Sequence, residues 1–192
     1  MPAISDSELR VRLRALIEER WIEMPNEKRY GGTGGPGKFL EDKLGVDGGN
    51  DDLPDAGKWE LKYHSERSLL TMFHKEGQPS NHLELLVQNH GWPDQHGRIS
   101  FRHTIAGTTG RGFSIKNDGQ RIIVVNQSTG DQPLAYWSHD TIMNAFASKL
   151  RRLIVVKGER QKQMVKYRTA HFFWEPQITK LIDAIIKGTV YL

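Results

Sequence analysis

A chain of 192 residues with 37% hydrophobic and 26% charged side chains has the size and balance of one globular domain with its own core. The absence of cysteine excludes disulfides, thiolate metal sites and a cysteine nucleophile, so any metal must be held by oxygen or imidazole. The net charge of +4 is small, no stretch approaches a membrane span, and the opening MPAISDSELR lacks the basic-then-apolar layout of a secretory signal; together these predict a cytoplasmic protein with no membrane partner.

In chain order, Ser5-Asp6-Ser7-Glu8 has capping-box spacing, and Leu9, Leu13, Leu16, Ile17 and Trp21 follow at helical intervals, which predicts an amphipathic scaffold helix over 7–21. The Gly-rich stretch Gly31-Gly32-Thr33-Gly34-Gly35-Pro36-Gly37 then feeds a short helix from Lys38 to Leu44 that stops at Gly45, with Pro near the start and Gly past the end. No Gly-Lys-Ser/Thr closes this loop and no strong strand precedes it, so it is neither a Walker loop nor a dinucleotide fingerprint. It reads as a flexible helix entry, with contact of Lys38 to a DNA backbone left open.

After the acidic turn from Asp47 to Asp52, strand signals gather over 59–64, 69–74, 83–88 and 98–105, and a hairpin joins 112–116 to 121–126 around Asn117-Asp118-Gly119. These predict a largely antiparallel sheet. A helix over 140–151, a short buried strand over 153–156, a final helix over 177–187 capped by Gly188 and a strand from Thr189 complete the order. The succession predicts an α+β or mixed α/β fold around one central sheet, without internal repeats.

The chemistry gathers at Pro54-Asp55-Ala56-Gly57-Lys58-Trp59-Glu60-Leu61-Lys62. In an extended strand Glu60, Lys62 and His64 point to one face while Trp59, Leu61 and Tyr63 point to the other, so the apolar face anchors in a core and the polar face lines a cleft. Pro54 and Gly57 let the preceding turn bring the Asp55 carboxylate beside that of Glu60. Two carboxylates suit a Mg²⁺ that keeps several waters, with the Leu61 carbonyl as a third protein ligand. Lys62 would position or help deprotonate an attacking water, and Glu41 on the short helix would orient Lys62 or a water. Such a set hydrolyses a phosphodiester. A solvent-exposed Glu-Lys pair on an edge strand is the competing reading of the same residues.

From Lys149 to Arg168 the chain carries Lys149, Arg151, Arg152, Lys157, Arg160, Lys162, Lys166 and Arg168 against the single acid Glu159. This is the footprint expected for a polyanion such as DNA, with binding that weakens steeply as salt rises; a solvated, flexible basic loop is the alternative. His64 touches the metal site or DNA, or is a partly exposed sheet histidine. His74-Lys75 reads as a phosphate contact or a solvated turn. Asn89-His90-Gly91-Trp92 and residues 98–103 offer side chains for base edges, or form a turn and a strand on which Trp92 packs. The histidines show no HxxxH or HExxH spacing for zinc, and no Gly-x-Ser-x-Gly elbow marks a serine hydrolase.

Three stretches carry a family resemblance: GGTGGPGKFLEDKLG over 31–45, LPDAGKWELK over 53–62 and SLLTMFHK over 68–75. With VVKGER over 155–160 and HFFWEP over 171–176, they make the chain similar to the MvaI/BcnI-type restriction endonucleases, relatives of the mismatch-repair nickase MutH in the PD-(D/E)XK nuclease superfamily.

The resemblance implies a restriction-endonuclease-like α/β (α+β) core, a central mixed sheet flanked by helices. It implies one endonuclease domain over 1–192, with a catalytic lobe of about 1–80 and 140–192 and a DNA-recognition lobe of about 81–139. Glu41, Asp55, Glu60 and Lys62 map onto the catalytic positions, with Asp55, Glu60 and Leu61 as metal ligands. Lys157, Arg160 and His171 fall near the DNA, beside the candidates Lys38, His64, His74, Lys75, Arg151 and Arg152. The implied reaction is Mg²⁺-dependent hydrolysis of double-stranded DNA at a short site, one strand at a time, by a monomer, leaving a 5′-phosphate. Mn²⁺ is the expected substitute metal, and a cognate DNA methyltransferase the expected genetic partner. A MutH-like repair nickase and a nuclease-derived protein that holds DNA without cutting are the rival expectations.

Overall fold

The computed structural model describes residues 4–46, 56, 58–65, 69–72, 74–106, 110–175, 177 and 180–192. Along the chain run α1 (Asp6–Glu18), β1 (Ile22–Glu23), α2 (Gly35–Leu44), β2 (Glu60–Ser65), α3 (His82–His90), β3 (Trp92–Pro93), β4 (Ile99–Ser100), β5 (Phe113–Asn117), β6 (Arg121–Asn126), β7 (Pro133–Ser138), α4 (His139–Leu150), β8 (Arg152–Gln161), β9 (Met164–Trp174) and α5 (Leu181–Ile186). Contacts divide the chain into two units, one of Met1–Phe73 with Ala145–Pro176, the other of His74–Asn144 with Gln177–Leu192. The stretch 177–192, grouped with the catalytic lobe in the sequence, thus packs within the second unit, where α5 meets β5.

The first unit is a four-stranded mixed sheet of order β1-β9-β8-β2, in which β2 and β8 run parallel and the other neighbours antiparallel. Ser5 caps α1 by accepting the Glu8 N–H, and Leu9, Leu13 and Leu16 then bury one helical stripe. Phe39, Leu40 and Leu44 of α2 join them over Leu61, Ile154, Val156, Val165 and Tyr167 to make the core. Gly45 ends α2 at φ 69°, the left-handed conformation that a Cβ disfavours.

Among the described residues two glycines hold the unit's tightest approaches. A Cβ on Gly35 would lie 1.9 Å from the Tyr30 carbonyl oxygen, and one on Gly158 would meet the Lys166 carbonyl at 2.5 Å and the Tyr63 ring at 2.9 Å. Gly158 sits where the β8–β9 register slips by one residue, so the bulge and the missing side chain together admit Tyr63.

The second unit contains the three-stranded antiparallel sheet β5-β6-β7 and the short β3–β4 pair. The hairpin around Asn117-Asp118-Gly119 forms as its Asn-Asp-Gly signal predicts. Several other expectations give way. Residues 83–88 are a short apolar run that the sequence reads as a strand, yet they lie in α3, which buries His82 and Leu86, four residues apart, on one face and leaves Leu83 and Leu85 exposed. No strand forms among the described residues of 69–74, and the strand expected over 98–105 shrinks to Ile99–Ser100. The last helix is only Leu181–Ile186; Thr189 and Val190 bond back to the Ala184 carbonyl instead of starting a strand, and Leu192 exchanges two backbone hydrogen bonds with Ile105. The basic segment is no loop, since most of it forms the β8–β9 hairpin. No helix among the described residues is long and apolar enough to cross a membrane.

Candidate active site

The entry to β2 is fixed one residue before Glu60. Ala56 and Trp59 exchange backbone hydrogen bonds of 2.8 and 3.0 Å, and the buried Trp59 donates its indole N–H to Asp6 Oδ1 at 3.1 Å. Its ring packs edge-on against Phe172 and Trp174 of β9. No short-range signal announces the Asp6 contact, which spans 53 residues.

Alternation then does the rest. Leu61 enters the core, and Glu60, Lys62 and His64 take the other face. Register carries that face across the sheet: Glu60 stands beside Leu153 and Phe173, Lys62 beside Val155 and His171, His64 beside Lys157 and Thr169. Paired residues share a face, so Glu60, Lys62, His64, Lys157 and His171 form one surface. Thr169 Oγ1 and His171 Nε2 lie 3.1 Å apart within it.

Glu60 is 1% exposed, and its Oε1 lies 2.5 Å from Nζ of the quarter-exposed Lys62. Its Oε2 is buried with no hydrogen-bond partner among the described residues. A buried carboxylate oxygen left unsatisfied is costly, and a hard cation that takes oxygen ligands supplies what is missing. The donor set therefore fits Mg²⁺ at Glu60, with Leu61 next on the strand. Asp55, the second carboxylate expected, lies outside the described residues, and among those described no cluster of three or more His, Asp or Glu forms.

Glu41 arrives on α2, which packs on β2 where a Cβ on Gly37 would lie 3.5 Å from Tyr63 Cβ. It sits one helical turn beyond Gly37, and its Oε2 accepts from Lys38 Nζ at 3.0 Å. That hydrogen bond holds the Lys38 ammonium above the usual lysine range, so Lys38 serves Glu41 before any phosphate. The Tyr63 hydroxyl is buried without a hydrogen-bond partner among the described residues, and desolvation pushes its pKa up. Burial does the same to Tyr167, whose hydroxyl donates to the Pro36 carbonyl at 2.8 Å.

The basic candidates separate by strand parity. Arg152 and Arg160 share the face of Ile154 and Val156, the core side of β8, whereas Lys157 faces with Glu60. Arg152 Nη1 lies 3.9 Å from Asp6 Oδ2, and its guanidinium stands 5.9 Å from the Trp59 ring. Arg160 donates to the carbonyls of Gly32 and Lys162 and to Gln163 Oε1, which ties down the Gly-rich loop. Arg151, just before β8, is 75% exposed and only 3.7 Å from Glu175. His74 and Lys75 belong to the second unit, where His74 Nε2 lies 2.9 Å from Glu76 Oε1 and the Lys75 carbonyl accepts from Trp137 Nε1.

With this geometry in view, comparison with known proteins gives a consistent result. A model of the MvaI/BcnI restriction endonuclease family matches residues 11–192. The fold is similar to that of restriction endonuclease MvaI in complex with its cognate DNA substrate, with a TM-score of 0.81 and 26% identity over 99% of this chain and 84% of that one. A structure of MvaI in the absence of DNA aligns over 98% of this chain and 82% of that one, at 26% identity and a TM-score of 0.48. No curated protein matches the chain.

Proposed function

The chain belongs to the MvaI/BcnI restriction endonuclease family, and from that premise we propose that it is a Mg²⁺-dependent enzyme hydrolysing double-stranded DNA at a short specific site and leaving a 5′-phosphate. The observation that carries the metal reading is the Glu60 carboxylate, buried with one oxygen on Lys62 and the other unsatisfied among the described residues. Glu60, Asp55 and the Leu61 carbonyl would hold Mg²⁺. Bound there, the cation supplies charge neutralisation on the phosphoryl oxygens and lowers the pKa of a coordinated water.

The side chains of this protein do the remainder. Lys62, a quarter exposed and with its ammonium on Glu60, orients the attacking water in line with the scissile bond. Glu41 holds Lys38 and orients Lys62 or its water. His64, Lys157 and His171, on the same sheet surface, meet the phosphates that flank the cut. Arg151 adds charge from the exposed entry to β8.

The enzyme acts as a monomer in the cytoplasm, and Mn²⁺ replaces Mg²⁺, since both are octahedral oxygen-binding cations. Host copies of the same site must be blocked, which makes a DNA methyltransferase of matching specificity its genetic partner. Incubation of the purified protein with a sequenced plasmid in Mg²⁺ and in Mn²⁺, followed by end mapping, tests this. Discrete cuts bearing 5′-phosphates support it. Binding to plasmid that stays intact in both metals defeats it in favour of a DNA-holding protein, and nicking only with a mismatch-repair activator defeats it in favour of repair.

A further inference from the structure

In the second unit a residue with a side chain, Arg111, occupies the left-handed region at φ 63° and ψ 18°, between Gly110 and Gly112. That conformation crowds a Cβ, and such outliers persist where the surroundings hold them. Here both flanking carbonyls are tied. The Gly110 carbonyl accepts from His103 Nε2 at 3.1 Å, and the Arg111 carbonyl accepts from Asn126 Nδ2 at 2.9 Å. Asn126 is 2% exposed and takes the Ser128 N–H and hydroxyl on its Oδ1, so both ends of its amide are engaged.

The side chain presented by this clamped turn is exposed, and its guanidinium lies 3.9 Å from the centre of the Trp92 ring. Trp92 is itself backed by Phe101, which packs on Phe113. Arg98, Lys116 and Arg121 of the same unit each pair with an aspartate, whereas Arg111 has no carboxylate partner among the described residues. Stacking fixes the plane of a guanidinium and leaves its N–H edge available.

We propose that Arg111 is a specificity-determining residue of the DNA site, its paired N–H groups reading the O6 and N7 acceptors of a guanine in the major groove. This rests on the DNA-cutting reading given above. A phosphate needs only positive charge, which a lysine or an arginine on relaxed backbone delivers. A base edge needs two N–H vectors in a fixed plane, which the clamp and the indole supply.

The test uses full-length Arg111→Lys and Arg111→Gly on the mapped site and on its single-base-pair variants, with thermal melts alongside. Both substitutions are expected to lower kcat/KM on the cognate site by about ten- to a hundredfold and to relax discrimination at one G·C position. Glycine relaxes the turn, so its melting temperature should match or exceed that of the unmodified protein. A lysine variant that cuts and discriminates normally overturns the proposal, as does a recognition site without a G·C pair. A glycine variant that loses stability together with discrimination assigns the stack to folding and overturns it too. Unmodified protein that cuts nothing sinks the nuclease reading along with this one, whereas normal cleavage with an indifferent Arg111 sinks this one alone.

Discussion

Lys62 Nζ stands 2.5 Å from Glu60 Oε1, two residues along the same face of β2, while the second oxygen of Glu60 is buried and unsatisfied among the described residues. A buried carboxylate that one lysine only half satisfies is a local compromise of stability of the kind that functional sites accumulate.

Removing that compromise should separate stability from activity. Glu60→Gln keeps the shape and removes the buried charge, so its melting temperature without divalent metal should equal or exceed that of the unmodified protein. Its cleavage should fall at least about a thousandfold, the scale of losing a ligand and its oriented water. Mg²⁺ should raise the melting temperature of the unmodified protein and leave that of Glu60→Gln unchanged, because a ligand stabilises only the state that binds it. Differential scanning fluorimetry across a Mg²⁺ titration decides this, and equal shifts in both proteins would place the metal elsewhere.

Lys62→Ala should abolish plasmid cleavage and leave DNA affinity largely intact, and Asp55→Ala should do the same. Filter binding beside a cleavage assay reads both quantities. Normal cutting by Lys62→Ala would show that this ammonium takes no part in the reaction.

The arginines should divide as the sheet divides them. Arg151→Ala removes an exposed charge and should weaken DNA binding, reducing the slope of log affinity against log salt by about 1. Arg160→Ala removes the donor that ties Gly32, Lys162 and Gln163, and should destabilise the fold by roughly 1–3 kcal/mol. Urea melts and salt-dependent binding measure the two effects. A stable Arg160→Ala protein with a flattened salt slope would mean that Arg160 leaves the loop to meet DNA.

Gly158→Ala places a Cβ 2.5 Å from the Lys166 carbonyl and 2.9 Å from the Tyr63 ring. The β8–β9 bulge must shift or Tyr63 must leave, at a cost of about 1–3 kcal/mol. Chemical denaturation checks this, and an unaltered midpoint would show that the bulge relaxes freely.

Acid should weaken the β5–β6 hairpin only below pH 3.8. The Asp118 carboxyl is lowered from 3.8 to about 2 by the Gln120 N–H and the Arg121 guanidinium, with the Arg121 N–H adding to them. Its folded pKa lies below the unfolded value, so the unfolded chain binds the proton first, and the contribution is complete above pH 3.8 and lost as pH falls toward 2. Asp118→Asn should remove that part of the acid dependence, which a pH series of thermal melts would reveal.

Within β2 the sequence alone was enough to assign the faces of the strand. Period-two alternation put Glu60, Lys62 and His64 on one face and Leu61 in the core, and the structure agrees. The same arithmetic, carried past Val156, would have separated Lys157 from Arg152 and Arg160. The charges of 157–168 mask a strand whose buried partners, Val165 and Tyr167, stand opposite Arg160 and Gly158. Over 83–88 the pattern misled, since a short apolar run fits both periods and only burial of His82 and Leu86 chooses between them.

By itself, then, the sequence determined what local chemistry can determine. Caps, glycine turns, the Asn-Asp-Gly hairpin and the order of acid, acid and lysine all depend on neighbours within a few residues. Tertiary structure decided what depends on register and burial: that Lys157 and His171 join Glu60 and Lys62 on one surface, that Arg160 holds a glycine loop, and that one oxygen of Glu60 is left unsatisfied among the described residues. Contacts such as Trp59 with Asp6 and Arg160 with Gly32 join residues 53 and 128 positions apart, and only the closing of the chain into a sheet brings such groups within bonding distance.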